Sequence, residues 1–94
     1  MKTSVAAIKV LEEQGAKFVF GIPGGQTLYF TDALRESNIR FIQTRHEGVA
    51  AGAADVYGRL TGKPGLCLAT TGPGATNLIT SIGGALRDSS PLIA

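Results

Sequence analysis

Three scarcities narrow the field before any motif is read. There is one cysteine, Cys67, so the chain closes no internal disulfide, and its redox setting is read as cytoplasmic. There is one histidine, His46. A Ser-His-Asp arrangement has no serine in a Gly-x-Ser-x-Gly turn to work with, and a metal site finds no cysteine or carboxylate at ligand spacing from that histidine. Only 17% of residues are charged, and the net charge of +2 comes from scattered lysines and arginines. A basic run of the kind that tracks nucleic acid is missing. No apolar run approaches the roughly 18 residues that cross a membrane. The start, Met1-Lys2-Thr3-Ser4, leads into Glu12 and Glu13 rather than into the apolar stretch of a signal peptide.

What remains is 94 residues with 44% apolar content, one small domain or part of one, with a modest core. Thr3 or Ser4 is placed to cap a helix carrying Val5, Ile8 and Leu11 on one face, and Gly15 to end it. Lys17 to Phe20 reads as a strand that stops at Gly21. A second helix is expected from about Leu28 to Glu36, with Leu28, Ala33 and Leu34 facing inward, and a second strand from Arg40 to Thr44. An alanine- and glycine-rich helix follows from about Gly48 to Leu60, ended by Gly62-Lys63-Pro64. Gly65 to Thr70 is a continuously apolar strand of the kind covered on both faces. A fourth helix is expected over Ala75 to Arg87, and Pro91 to Ala94 starts a fourth strand. This alternation predicts an α/β fold: three layers, α/β/α, around a parallel sheet, interrupted after about four strands.

Ligands of open parallel sheets bind at the carboxyl ends of the strands. Three segments fall there: Gly21-Ile22-Pro23-Gly24-Gly25-Gln26, Arg45-His46-Glu47, and Thr70-Thr71-Gly72-Pro73-Gly74-Ala75-Thr76-Asn77. The two glycine-rich turns let backbone approach a ligand closely. Glu47 puts a carboxylate where a helix begins, a position that the helix dipole also favours for purely structural reasons. Gly72-x-Gly74-x-x-Asn77 misses the dinucleotide fingerprint by its third glycine, and Gly58 to Lys63 is too short for a phosphate loop.

Five stretches stand in register: Gly21-Ile22-Pro23-Gly24-Gly25, Arg45-His46-Glu47, the helix from Ala50 through Asp55 and Tyr57 to Arg59, Thr61-Gly62-Lys63-Pro64-Gly65, and Thr71 to Asn77. Together they resemble the N-terminal, pyrimidine-binding domain of thiamine-diphosphate enzymes of the acetolactate synthase group, over nearly the whole chain. The resemblance implies that residues 1–94 are the N-terminal part of one such domain. It implies a parent enzyme, a transferase or lyase that joins or decarboxylates 2-oxoacids such as pyruvate. Glu47 matches the glutamate that hydrogen-bonds the pyrimidine ring nitrogen of the cofactor and so promotes formation of the reactive ylid. That role calls for a water-poor site in which the carboxyl keeps or shares a proton near neutral pH. Thr70, Pro73 and Asn77 match positions lining the pyrimidine pocket, and Gly25 and Gln26 match the loop near the thiazolium. The presence of Glu47 argues against the glyoxylate carboligase branch. Two positions depart from the pattern: Gly48 stands where glutamine is frequent, and Val56 where glycine is frequent.

The same resemblance implies Mg2+ on the cofactor diphosphate, held by a separate domain marked by Gly-Asp-Gly, which this sequence lacks. It implies FAD in some members, bound through other regions, and a homo-oligomer, at least a dimer, whose active site is shared between subunits. No nucleic acid or membrane partner is expected. These 94 residues alone are expected to have no turnover, and an open sheet edge is expected to leave them marginally stable or associating. Two other readings compete: a non-catalytic α/β module that associates with itself through its alanine-rich helix, and a nucleotide-binding domain that uses the Thr71 to Asn77 turn.

Overall fold

The computed structural model describes residues Met1 to Ala94. Helix α1 spans Thr3–Glu13, strand β1 Phe18–Gly21, a 3-10 turn Gly25–Thr27, and helix α2 Leu28–Arg35. Strand β2 spans Arg40–Gln43, helix α3 Glu47–Thr61 and strand β3 Gly65–Leu68. Two short helices, α4 (Pro73–Asn77) and α5 (Ile79–Arg87), precede strand β4 (Leu92–Ile93). The four strands form one parallel sheet in the order β2-β1-β3-β4. The α/β expectation holds, including the parallel pairing that the continuous apolar strands imply.

Strand alternation sorts the core into two layers. Val19 and Leu66, paired across β1 and β3, face Ile8, Leu34 and Ile39 on the side of α1 and α2. Their neighbours Phe20 and Cys67, also paired, face the opposite layer with Ala50, Ala51, Ala54 and Leu78 from α3 and the start of α5. Burying each large aliphatic side chain contributes about 1.5–3 kcal/mol. The α3 layer uses small residues instead. Ala50, Ala51 and Ala54 are completely buried, so the helix lies directly on the sheet. A Cβ at Gly65 would collide with the Ala54 carbonyl, and one at Gly58 with the Pro91 carbonyl. Tyr57, half-buried, sets its ring edge-on against Phe18 and Phe20 at 5.8 and 6.4 Å.

Several local expectations are corrected. The N-cap of α1 is Lys2, in extended conformation and without a side-chain cap bond; Ser4 is instead buried inside the first turn. The Lys2 carbonyl already accepts from Ala6 N–H at 3.0 Å, which starts the helix one residue earlier than the hydroxyl-bearing residues suggest. Gly15 ends it as expected, at φ +91°, with Ala16 N–H reaching back to the Leu11 carbonyl. Leu28 is 61% exposed rather than inward-facing, because α2 is only eight residues long and anchors through Leu34. The single helix expected over Ala75 to Arg87 starts earlier, at Pro73, and tightens at Leu78, whose N–H bonds Ala75 three residues back. Leu78 itself is drawn into the α3 core layer. The strands are also shorter than read: β2 stops at Gln43 and β3 at Leu68.

Candidate functional site

The chain leaves β1 to form β2 on one side, then crosses back through α3 to form β3 on the other. The carboxyl ends of β1 and β3 therefore border the point where the strand order reverses, the usual ligand crevice of such sheets. Backbone ties fix the turns that leave these ends. Ile22 N–H donates to the Leu68 carbonyl at 3.3 Å, and Thr44 N–H to the Gly21 carbonyl at 3.0 Å. Gly24 lies against Thr70 so closely that a Cβ there would stand 2.5 Å from the threonine Cβ. The two glycine-rich turns are thus packed on each other.

Glu47 is the first residue of α3 and points into this crevice region, where Asn77 Nδ2 donates to its Oε1 at 3.1 Å across 30 residues of sequence. Its other oxygen, Oε2, lies 3.4 Å from where a Cβ on Gly74 would be, and Thr70 Cγ2 lies 3.1 Å from the same point. Glu47, Thr70, Gly74 and Asn77 are thereby brought together from the start of α3, the end of β3 and helix α4. Pro73 opens α4 as its exposed first residue, where its missing N–H costs nothing. Gly25 and Gln26 occupy the exposed 3-10 turn, and a Cβ on Gly25 would meet no atom within 4 Å. These two are near neighbours of Gly24 in sequence, and neither hydrogen-bonds Glu47, whose side-chain partner is Asn77.

The electrostatics differ from the proton-retaining site that the resemblance implies. The Asn77 amide bond holds the Glu47 carboxyl below the usual carboxylate range, helped by its own backbone N–H and opposed by burial. Within these residues the carboxyl is partly exposed and its hydrogen bonds favour the anion. A protonated Glu47 at neutral pH requires further protein to cover the crevice and remove its water.

Two residues of these segments that the sequence reading did not single out as site residues also contribute. His46 caps α3: its Nδ1 accepts the Gly48 N–H at 2.9 Å, and its carbonyl accepts the Thr44 hydroxyl at 2.9 Å. Gly74 gives Glu47 its room. The only visible signals were the adjacency of His46 to a helix start and the glycine within a turn. Cys67 is no nucleophile: it is buried under α3, and burial pushes its thiol up to about 11. The hollow lined by Val10, Phe18, Tyr57, Lys63 and Leu66 lies at the amino ends of the strands and shares no residue with the crevice.

The family model described as thiamine pyrophosphate enzyme, N-terminal TPP binding domain, matches residues 1–94. The chain belongs to that family. It is 54% identical over 94 residues to a protein named probable acetolactate synthase large subunit from Methanocaldococcus jannaschii, covering 100% of this chain and 16% of the relative. It is 49% identical over 88 residues to acetolactate synthase, chloroplastic, from Arabidopsis thaliana, covering 93% and 13%. It is also 49% identical over 88 residues to a probable 2-ketoarginine decarboxylase from Pseudomonas aeruginosa, covering 94% and 16%. The chain thus spans 13–16% of the length of these relatives.

The residues fit the pyrimidine end of thiamine diphosphate. A carboxyl with Oε1 held by an amide and with room left beside Oε2 by Gly74 suits a ring nitrogen. No three His, Cys, Asp or Glu side chains gather anywhere in the chain. No helix is long and apolar enough to cross a membrane.

Proposed function

We propose that residues 1–94 form the N-terminal part of a pyrimidine-binding domain in an acetolactate synthase-like 2-oxoacid carboligase or decarboxylase, with Glu47 as the acid that activates the cofactor. The observation that carries this reading is the Glu47 carboxyl at the strand-order reversal, anchored by Asn77 on Oε1 and with Gly74 leaving room beside Oε2. When bound, thiamine diphosphate supplies a nucleophilic carbon and an electron sink for the bond cleavage. The protein's part is to hold and exchange a proton at Glu47 Oε2, with Thr70, Pro73 and Asn77 shaping the ring pocket and Gly25 and Gln26 facing the reacting end. The substrate is a small 2-oxoacid. Acetolactate synthase in the names of two relatives favours pyruvate, and the 2-ketoarginine decarboxylase keeps decarboxylation in view. The diphosphate, its Mg2+ and any FAD belong to segments outside these residues, and a second subunit closes the crevice in a cytoplasmic homodimer. Exposed Val49, Val56, Leu60, Ile79 and Leu86 on α3 and α5 agree with burial against another surface. The non-catalytic, self-associating reading rests on the alanine-rich α3, whose exposed apolar residues are Val49, Val56 and Leu60.

The test is Glu47→Gln in the full-length enzyme that contains these residues. Hydrogen–deuterium exchange at the thiazolium carbon of bound cofactor should slow by about 10²-fold or more, the scale of losing a positioned acid or base. Exchange at the native rate would remove Glu47 from the mechanism.

A further inference from the structure

Glu47 owes its place to the residue before it. We propose that His46 is a positioning residue: its imidazole caps α3 and thereby holds the Glu47 carboxyl against Asn77. The inference rests on the reading of Glu47 as the activating acid.

The first four N–H groups of a helix have no partner within it. In α3 the Gly48 N–H is taken by His46 Nδ1, while Val49 and Ala50 N–H both reach the His46 carbonyl at 3.2 and 3.3 Å. The bond to Gly48 needs a lone pair on Nδ1, so the ring is in the tautomer with its proton on Nε2. The same carbonyl also accepts the Thr44 hydroxyl, which ties the cap to the end of β2. Ser81 Oγ donates to the Gly48 carbonyl at 2.8 Å, which ties the first turn to α5. Glu47 lies inside this clasp. If the turn frays, its backbone rotates and the 3.1 Å bond to Asn77 is lost.

Gly48 is part of the device. A Cβ there would sit 3.0 Å from His46 Nδ1 and 3.3 Å from Cε1, tighter than side chains normally pack, and 3.4 Å from the Asn77 carbonyl oxygen, an ordinary contact. Glycine at this position, a departure from the family pattern noted above, lets the imidazole close on the backbone. Histidine is not among the preferred caps; asparagine, aspartate and serine do the same work with shorter arms. The capping role, unlike a direct role for the ring, should therefore survive replacement by asparagine.

The experiment compares His46→Ala, His46→Asn and Glu47→Gln in the full-length enzyme. Two quantities are measured: the dissociation constant for thiamine diphosphate in the presence of magnesium, by titration calorimetry, and deuterium exchange at the thiazolium carbon of the bound cofactor. His46→Ala is expected to slow exchange by about tenfold, the scale of a lost cap, with a much smaller change in cofactor affinity. His46→Asn is expected to exchange within about threefold of the native rate. Native exchange in His46→Ala, or exchange in His46→Asn as slow as in His46→Ala, overturns the proposal. Should His46→Ala not fold, His46→Asn and His46→Ser decide it: near-native exchange in both supports the cap, and slow exchange in both overturns it. Glu47→Gln separates the two readings. Slow exchange there with native exchange in His46→Ala sinks only the positioning role; native exchange in Glu47→Gln sinks the activating acid itself.

Discussion

At the scale of single residues, the Glu47–Asn77 bond sets the charge state of the crevice. An amide N–H donating to a carboxylate favours the anion, and it is the leading cause of the lowered Glu47 pKa. Asn77→Ala should therefore move the Glu47 pKa upward, toward the ordinary carboxylate range, as read from the carboxyl carbon shift in an NMR titration. The sign for stability follows. A depressed folded-state pKa contributes stability above the ordinary carboxylate range and loses it as the pH falls through the folded value. The native protein should thus lose more stability than Asn77→Ala on acidification through that window. An unmoved Glu47 titration would mean that the amide bond is not what holds the carboxyl.

The element that organises the molecule is α3. Its alanines and Gly58 make one face almost flat, and the sheet meets it with Gly65, so backbone touches backbone between Ala54 and β3. Overpacking such a contact cannot be relieved by a rotamer change. Gly65→Ala should destabilise the fold by about 1–3 kcal/mol or more, seen as a lower midpoint in thermal or urea unfolding. At the other end of the same helix, Arg59 binds Asp55 through two bonds and Asp88 through a third, at 2.9, 3.2 and 2.6 Å. Arg59 and Asp88 are solvent-accessible and Asp55 only partly so, and Arg59→Leu should lower the midpoint by less than Gly65→Ala. The ranking of the two variants is the check. A reversed order would mean that the ion network, and not the close packing, fixes α3 on the sheet.

For the molecule as a whole, the apolar residues left outside decide its behaviour. Val49, Val56 and Leu60 stand exposed on α3, Ile79 and Leu86 on α5, and Ile93 is 48% exposed on the edge strand β4. Exposed apolar groups and a strand edge favour association. Purified residues 1–94 should show a mass by sedimentation equilibrium that rises with concentration. They should also show no acetolactate from pyruvate with thiamine diphosphate and magnesium, since the proposed function places the diphosphate and its metal on segments outside these residues. A concentration-independent monomer would contradict the first expectation, and steady product formation the second.

The sequence by itself determined the α/β alternation, because apolar runs of strand length between glycine- and proline-marked helix ends leave little choice of period. It also determined which turns could meet a ligand, since Gly21 to Gln26 and Thr70 to Asn77 follow strands and are too rich in glycine for ordinary packing. The resemblance it carries led to the family that residues 1–94 match. Helix ends were less legible. A hydroxyl at Thr3 or Ser4 signals a cap, yet the backbone began one residue earlier and buried Ser4. Leu28 fitted an inner face by spacing, but a short helix on a small sheet has cover for only part of that face. The arrangement around Glu47 was decided only by the tertiary structure. Asn77 is 30 residues away, and its reach to Oε1 depends on α3 crossing from β2 to β3 over the sheet. The cap by His46 needed a bare glycine at 48 with its N–H turned back, and the room beside Oε2 needed Gly74 to arrive from another helix. Such contacts are set by the close approach of backbones distant in sequence, which no local pattern records.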